Sequence, residues 1–209
     1  MSIFFALFGL SGLLAGAAGR WWLARLRRGA VFRPPWPELG AALPSALIGW
    51  RADEHALPLC WTPVPLVVCW LGVPLVAVDL ARRRLPDAIT LPAYPLVASA
   101  LGIAAAGPPG GGLLLRAFVG ALAFGGAHGL VRWMAPAGMG AGDVKLAGSL
   151  GAVLGALGWA ALAAGALGAA TVTLLVAAAT RSRVVAHGPG LLTATWLLAT
   201  FPGAGARIG

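Results

Sequence analysis

The chain has 209 residues, of which 59% are hydrophobic and only 10% are charged, and its mean hydropathy is +0.87. Charged residues make up about a quarter of a typical soluble domain, so this composition excludes an ordinary soluble protein and favours a polytopic membrane protein. The net charge is +9, but the basic residues cluster at the ends of apolar segments without a nucleic-acid motif, so we expect no nucleic-acid partner. Cys60 and Cys69 form no CxxC pair and are expected to be small buried side chains rather than zinc ligands.

The first apolar segment is SIFFALFGLSGLLAGAAG, residues 2–19. Its basic residues follow the apolar run, whereas in a secretory signal peptide they precede it. We therefore predict a retained first span with its amino end outside. The next residues, 20–38, are predicted to form a short basic cytoplasmic loop.

Seven further apolar segments follow this loop. The first of them is short and contains Pro44, so a tilted, re-entrant or interfacial helix is an alternative to a true crossing there. If it does not cross and another pair is miscounted, six spans remain. We predict an all-α, polytopic transmembrane helix bundle of about eight spans (six to eight), which forms a single integral-membrane domain over residues 1–209. The predicted spans cover residues 2–19, 39–50, 57–78, 88–106, 113–134, 146–160, 161–179 and 185–201.

The basic residues determine the predicted orientation. With the amino end outside, twelve of the 15 Lys and Arg residues fall in inner loops and three in outer loops. This asymmetry is the positive-inside signal, and it favours an even number of spans. The inner residues are Arg20, Arg25, Arg27, Arg28, Arg33, Arg82, Arg83, Arg84, Arg132, Lys145, Arg181 and Arg183, and the outer ones are Arg51, Arg116 and Arg207.

Several glycine pairs have the small-xxx-small spacing that allows two helices to approach closely. They are Gly12/Gly16, Gly125/Gly129 and Gly151/Gly155. We predict close helix packing from them. The sequence carries no signal for a particular oligomeric state.

The six acidic residues are the informative ones in so apolar a chain. Asp53 and Glu54 lie in a predicted outer loop and are expected to be solvated. Asp79, Asp87 and Asp143 all fall at the predicted inner edge of the membrane. A carboxylate at that depth is costly unless it is paired, hydrated or functional.

Each of these three acids also has a purely structural interpretation. Asp79 could pair with the arginines at 82–84, Asp143 could be a helix N-cap, and Asp87 is expected to cap the helix that follows it. An N-cap does not require the three alternating glycines that precede Asp143 in GMGAGDVKL (138–146), whereas glycine does permit close approach of another backbone. Because the topology places Asp79 and Asp143 on the same side at similar depth, we expect them to face each other across the bundle.

Two facing carboxylates have a known chemical use. Because both cannot easily be ionised together, the pair holds one proton and titrates as a unit. The ionised carboxylate can take a proton from water while the protonated one donates to a scissile carbonyl oxygen. This arrangement hydrolyses an amide without a metal, so we expect no cofactor.

Two stretches, DLARRRLPDAITLP (79–92) and GMGAGDVKL, resemble the two signature regions of the prepilin peptidases. These bacterial type IV leader peptidases are intramembrane aspartyl proteases of the GxGD type. A third stretch, HGPGLL (187–192), resembles the Gly-Pro element that opens their last span. The residues that match the first signature are Asp79, Leu85, Pro86 and Asp87. The residues that match the second signature are Gly138, Gly140, Gly142, Asp143 and Lys145.

The resemblance, which covers about residues 57–201, implies a function. Asp79 and Asp143 would be the catalytic dyad, and the glycine loop would let a substrate backbone lie close to Asp143. Lys145 would bias the dyad, orient the loop or serve as an interfacial cation. The substrates would be prepilins or pseudopilins, cut between a basic leader and a hydrophobic helix. The protein would lie in the bacterial cytoplasmic membrane with its active site facing the cytoplasm.

The chain also departs from the larger members of the family. Residues 20–38 are too short for their cytoplasmic insertion and contain none of its zinc-binding CxxC motifs. The Gly-Ser-Phe-Leu-Asn-Val type sequence, found in the first span of members that also methylate the pilin amino terminus, is not preserved in GLLAGAAGRWWLARL (12–26). The resemblance is therefore to a short form, and we predict peptidase activity without methyltransferase activity.

Two other functions are compatible with the same residues. A non-catalytic membrane assembly factor of a pilus or secretion system could use the same scaffold. A proton- or cation-coupled transporter would also need acids in the membrane, but it would favour acids near the bilayer midplane rather than at the edge.

Overall fold

The computed structural model describes residues 3–26, 29–82, 85–107, 112–136, 139–180, 186–203 and 206, and every regular element within them is a helix. The predicted all-α bundle is therefore confirmed. In chain order the helices are α1 (Ile3–Leu23), α2 (Trp36–Asp53), α3 (Pro63–Arg82), α4 (Asp87–Thr90), α5 (Ala93–Ala105), α6 (Leu113–Met134), α7 (Ala141–Leu157), α8 (Trp159–Thr180) and α9 (Gly188–Thr200).

Each predicted span corresponds to one long helix, except that the fourth is divided into α4 and α5. The division falls at Leu91 and Pro92, because proline has no N–H to continue the helical hydrogen bonds. The boundary between the sixth and seventh spans lies at Gly158, earlier than predicted. Gly158 has a φ of +129°, which side-chain-bearing residues rarely adopt, so the chain reverses there between α7 and α8.

Five helical segments of the described chain are long and apolar enough to cross a membrane. They are α1, α3, α4 with α5, α6 and α8. Of the others, α2 includes Glu38, Arg51 and Asp53, and α7 and α9 have 17 and 13 residues. The number of membrane crossings, and the side of the membrane on which the amino end lies, stay predictions.

The predicted loop at 20–38 is too wide, because helix extends into it from both sides. α1 continues to Leu23 and α2 begins at Trp36. Arg20 of α1 donates to Glu38 of α2, with 2.6 Å between Arg20 Nε and Glu38 Oε1. This ion pair compensates two charges in a largely apolar bundle, so both residues can remain in helices.

The prediction that Asp53 is merely solvated is wrong. Asp53 is the last residue of α2, and its Oδ2 accepts a hydrogen bond from the Phe5 N–H at 3.0 Å. It thus satisfies an amide in the first turn of α1 that has no partner within that helix. A carboxylate also interacts favourably with the positive end of the helix dipole.

Glycines allow two helix pairs to pack with their backbones almost in contact, which confirms the close packing predicted from the glycine spacing. A Cβ added at Gly12 in α1 would lie 2.5 Å from the Ala41 carbonyl oxygen in α2. Between α6 and α7, a Cβ added at Gly155 would lie 2.7 Å from the Gly120 Cα. Such contact gives these helices extensive dispersion interactions without large side chains.

Helix α7 is central to the bundle. It contacts α4, α5, α6, α8 and α9, and 12 of its 17 residues are buried. By contrast, α6 and α8 expose large apolar side chains such as Leu115, Phe118 and Leu174. An outer surface of this kind suits contact with lipid. The buried position of α7 fixes any group carried on its first turn.

The substitution Gly155→Ala should weaken the α6–α7 contact, because its new methyl group would lie 2.5 Å from the Arg116 carbonyl oxygen. We expect the free energy of unfolding in detergent to fall by about 1–3 kcal/mol. Gly102→Ala in α5 is the matched control, since a Cβ there meets nothing within 4 Å. The control should be neutral or stabilise by about 0.5–1 kcal/mol. Equal effects of the two substitutions would contradict this packing.

Candidate active site

The last turn of α3 carries Asp79 into the interior, where the residue is only 4% exposed. Its Oδ2 accepts a hydrogen bond from the Gly188 N–H at 3.2 Å. Gly188 is the first residue of α9, so the carboxylate faces a helix N-terminus, which favours negative charge. Asp79 forms no ion pair with Arg82, the one of the three following arginines that lies within the described residues.

Glycine is required at position 188 for this contact. A Cβ at Gly188 would lie 2.7 Å from Asp79 Oδ2 and 3.4 Å from Leu85 Cδ1. Any side chain at position 188 would push the Asp79 carboxylate away from the Gly188 N–H that donates to it. The HGPGLL stretch therefore has a direct structural role beside Asp79.

Asp143 lies in the first turn of α7, at the third helical position, and is 9% exposed. The N-cap residue is Gly140, so the alternative interpretation of Asp143 as the N-cap itself is wrong. Its carboxylate instead reaches back and forms a hydrogen bond with the Gly140 backbone. An acidic residue three positions into a helix commonly satisfies the N-cap amide in this way.

The two carboxylates meet where α3, α7 and α9 converge. Asp79 and Asp143 are close enough to interact electrostatically. Each faces backbone amides at a helix N-terminus, which offsets part of the cost of burying the charge. Asp143 Oδ1 is buried and has no hydrogen-bond partner among the described residues. The pair can therefore hold one proton while Asp143 Oδ1 keeps its capacity to accept a further hydrogen bond. The end of the bundle that contains both residues is called the dyad end below.

The glycine loop lies against the segment that follows α3. A Cβ at Gly142 would lie 2.6 Å from Leu85 Cβ, so glycine lets the two sequence motifs touch. At Gly140 a Cβ would lie 3.0 Å from Asp143 Oδ2. Gly138, the first glycine of the predicted motif, lies outside the described residues.

Lys145 joins the two motifs through an ion pair. Its Nζ donates to Asp87 Oδ1 at 2.7 Å, with both side chains partly exposed. The prediction that Asp87 caps its helix is therefore wrong. Pro86 is the N-cap residue of α4, its carbonyl oxygen accepts from the Ile89 N–H at 3.0 Å, and the Asp87 carboxylate turns to Lys145 instead.

Tyr94 adds a second link to the same turn of α7. Its hydroxyl donates to the Lys145 carbonyl oxygen at 2.7 Å. A Cβ at Gly148, one turn further along, would collide with the Tyr94 hydroxyl. Asp87 and Tyr94 together hold the first two turns of α7 against α4 and α5.

Two histidines beside Asp143 were not predicted as site residues. His128 in α6 and His187, the N-cap residue of α9, both interact electrostatically with Asp143. Their ring centroids are 6.0 Å apart. The signal available in the sequence was that the chain has only three histidines, one of which belongs to HGPGLL.

The described residues contain no group of three or more His, Cys, Asp or Glu side chains placed to hold a metal ion. An apolar cavity of about 350 Å³ lies between α2, α3 and α9 and extends to Val76 and Ala77, within one turn of Asp79. A cavity of about 540 Å³ lies at the opposite end of the bundle, around Arg116 and Trp159, and is remote from both carboxylates.

Comparison with known proteins identifies one family. The model of the type IV leader peptidase family matches residues 66–203, about two thirds of the chain. The match includes both aspartates, the glycine loop and all helices from α4 to α9. No curated protein and no solved structure matches the chain significantly.

The pair of Lys145 and Asp87 should couple the two motifs weakly. Because both side chains are partly exposed, a double-mutant cycle of Asp87→Asn and Lys145→Met should give a coupling energy of about 0.2–1 kcal/mol. The measurement is the free energy of unfolding in detergent for wild type, both single variants and the double variant. The coupling should shrink at high ionic strength. Strictly additive single effects at low salt would show that the pair contributes nothing to stability.

Proposed function

The chain belongs to the type IV leader peptidase family, and from this we propose that it is an intramembrane aspartyl endopeptidase that removes the basic leader from type IV prepilins or pseudopilins. The observation that carries the proposal is the buried, interacting pair Asp79 and Asp143 at the N-termini of α9 and α7. The family model spans both residues. We propose peptidase activity alone, without methylation of the new amino terminus.

The dyad acts by general acid–base catalysis. The ionised aspartate takes a proton from a water molecule as the water oxygen attacks the scissile carbonyl carbon. The protonated aspartate gives its proton to the carbonyl oxygen, so a neutral tetrahedral diol forms. The aspartate that gained the water proton then donates it to the amide nitrogen. The C–N bond breaks as a diol hydroxyl returns its proton to the other aspartate, which leaves a carboxylic acid, an amine and the original dyad.

Amides at two helix N-termini make this chemistry feasible in a buried site. The Gly188 N–H and the backbone of Gly140 each compensate one carboxylate. Proximity of the two acids keeps one proton between them, because two like charges this close are unfavourable. The ionisation state that hydrolysis requires is thus the resting state of the pair.

The basic residues support a cytoplasmic position for the dyad end. Arg20, Arg82, Arg132 and Lys145 all lie in turns of helix that end or begin there. Positively charged residues are enriched on the cytoplasmic side of membrane proteins. The proposed cut is therefore on the cytoplasmic face, where a basic leader would remain before cleavage.

We further propose that the cavity between α2, α3 and α9 receives the hydrophobic segment next to the cleavage site. Its walls are almost wholly apolar and include Trp36 and Gly40 of α2 and Leu192 of α9. A Cβ added at Gly72 would lie 3.6 Å from Leu192 Cδ2, and Leu192 lies one turn after Gly188, whose N–H donates to Asp79. The cavity lining reaches Val76 and Ala77, within one turn of Asp79, so an apolar helix bound there would lie beside the proposed scissile bond.

The dyad is tested by leader cleavage in membranes that contain the protein and a co-encoded prepilin. Asp79→Asn and Asp143→Asn should each lower kcat/KM by about 10²- to 10⁴-fold, since each removes a proton-transfer group while keeping its shape. Product mass and gel mobility report the cut.

Glu54→Gln is the matched control for these substitutions, because Glu54 lies at the C-terminus of α2, outside the site, and should leave cleavage unchanged. Survival of cleavage in either aspartate variant would rule out the dyad. Failure of the wild type to cut any co-encoded prepilin would favour a non-catalytic assembly role.

The substrate cavity is tested by filling it. A Cβ at Gly40 would lie at an ordinary 3.6 Å from Val73, so Gly40→Leu should fold and project its side chain into the cavity. We expect KM to rise about tenfold with kcat nearly unchanged. This corresponds to a loss of about 1.4 kcal/mol of binding free energy that the ground state and the transition state share equally. Gly126→Leu on α6, where a Cβ meets nothing within 4 Å, is the control. Unchanged KM in Gly40→Leu would show that the segment binds elsewhere.

A further inference from the structure

The first turn of α9 contains two glycines, and each of them lies against a different helix. A Cβ added at Gly188 would lie 2.7 Å from Asp79 Oδ2 at the end of α3. A Cβ added at Gly190 would lie 2.5 Å from the Ala169 carbonyl oxygen and 2.9 Å from Thr173 Oγ1, both in α8. The start of α9 is therefore in close contact with α8 as well as with the acid. The dyad chemistry uses the first contact and leaves the second without a role.

A hydrogen bond from the residue that precedes this turn reinforces the contact with α8. Thr173 donates its hydroxyl hydrogen to the Ala169 carbonyl oxygen, with 2.8 Å between the two oxygens. The same Thr173 Oγ1 lies 2.9 Å from His187 Nδ1. Because a threonine hydroxyl has only one hydrogen, Thr173 accepts the second bond and His187 Nδ1–H donates it. The side chain of the α9 N-cap residue is thus held by α8.

The position of His187 determines the position of the amide that Asp79 accepts from. His187 is the N-cap residue of α9, and its carbonyl oxygen accepts from the Leu191 N–H at 3.2 Å. The Gly188 N–H belongs to the planar peptide group that begins at His187, so the two move together. Pro189 follows with its fixed φ and stiffens the turn. Within the described part of the chain, this N–H is the donor to the Asp79 carboxylate.

Thr173 can act on the dyad only through His187. In the described residues it forms no hydrogen bond with either carboxylate, and it does not line the apolar cavity proposed for the substrate. Its bond to Ala169 alone is ordinary, since threonine hydroxyls in helices commonly donate to the carbonyl four residues earlier. Thr171 makes the same bond to Leu167 at 2.8 Å and is exposed. The bond from His187 is what distinguishes Thr173.

We propose that Thr173 is a positioning residue of the dyad, which holds the His187 ring and thereby keeps the Gly188 N–H on Asp79. This inference rests on the proposed peptidase function. Without the hydroxyl, His187 Nδ1 loses its acceptor and the start of α9 loses a restraint toward α8. Asp79 is then held less firmly relative to Asp143. Reaction rates are sensitive to small displacements of reacting groups, so turnover should fall while substrate binding is preserved.

The test is steady-state cleavage of a co-encoded prepilin by the purified full-length protein in detergent micelles. Turnover is expressed per folded protein, which size-exclusion chromatography quantifies. Thr173→Val removes the hydroxyl and keeps the β-branched shape. We expect kcat to fall about 5- to 20-fold. KM should stay within about twofold of the wild type, because the lost interaction is not one that binds the substrate.

Two further variants separate the hydroxyl of Thr173 from other effects of the substitution. Thr173→Ser keeps a hydroxyl and should retain kcat within about twofold of the wild type. Thr171→Val is the matched control, since it makes the same change on the same helix at an exposed hydroxyl that donates to the carbonyl four residues earlier. It should leave both kcat and KM unchanged.

The outcomes separate this inference from the proposed function. A lower kcat in Thr173→Val alone, with unchanged KM, supports both. Wild-type kcat in Thr173→Val overturns the positioning role and leaves the peptidase function intact. The same follows if Thr173→Ser or Thr171→Val loses as much turnover, or if Thr173→Val yields no folded protein, since the residue then has a structural role. An inactive wild type overturns both.

Discussion

The burial of two neighbouring carboxyl groups at one point is the constraint on which the rest of the bundle depends. Asp79 and Asp143 are each less than a tenth exposed and interact electrostatically, an arrangement that would be strongly unfavourable in a plain hydrocarbon environment. Backbone amides compensate for it. For this to happen, the N-terminus of α9 must meet the end of α3, and the first turn of α7 must be held against both. The glycines at 188 and 142 make these approaches possible, since a side chain at either position would collide with the site.

The packing of α7 explains how such a site stays in register. The later turns of α7 pack against α6 through glycine contacts, and its first two turns are held by Asp87 and Tyr94. The restraints come from different helices and act on the same rigid helix. Asp143 therefore has little freedom to move away from Asp79, which reduces the reorganisation needed when a proton is transferred.

The sequence predicted those features that depend on local patterns. α6 begins and ends at the predicted residues because glycines precede it and its apolar run is unbroken. The order and spacing of the two motifs identified Asp79 and Asp143 as a candidate pair. What it did not predict depends on contacts between distant residues. Lys145 and Asp87 are 58 positions apart, and Asp53 reaches an amide 48 positions away, so neither contact leaves a local signal. The histidines were missed for the same reason, since only the fold brings α6 and the start of α9 to α7.

The bond between Tyr94 and the Lys145 carbonyl gives the protein a built-in spectroscopic probe. Tyr94 is the only tyrosine in the chain, so its ring vibrations and absorption are free of overlap from other phenols. Its hydroxyl donates to the backbone two residues after Asp143. A displacement of the first turns of α7 relative to α5, whether by substrate or by a change of lipid, would stretch or break that bond. Resonance Raman bands of one native side chain can thus follow the position of the helix that carries Asp143 without a label.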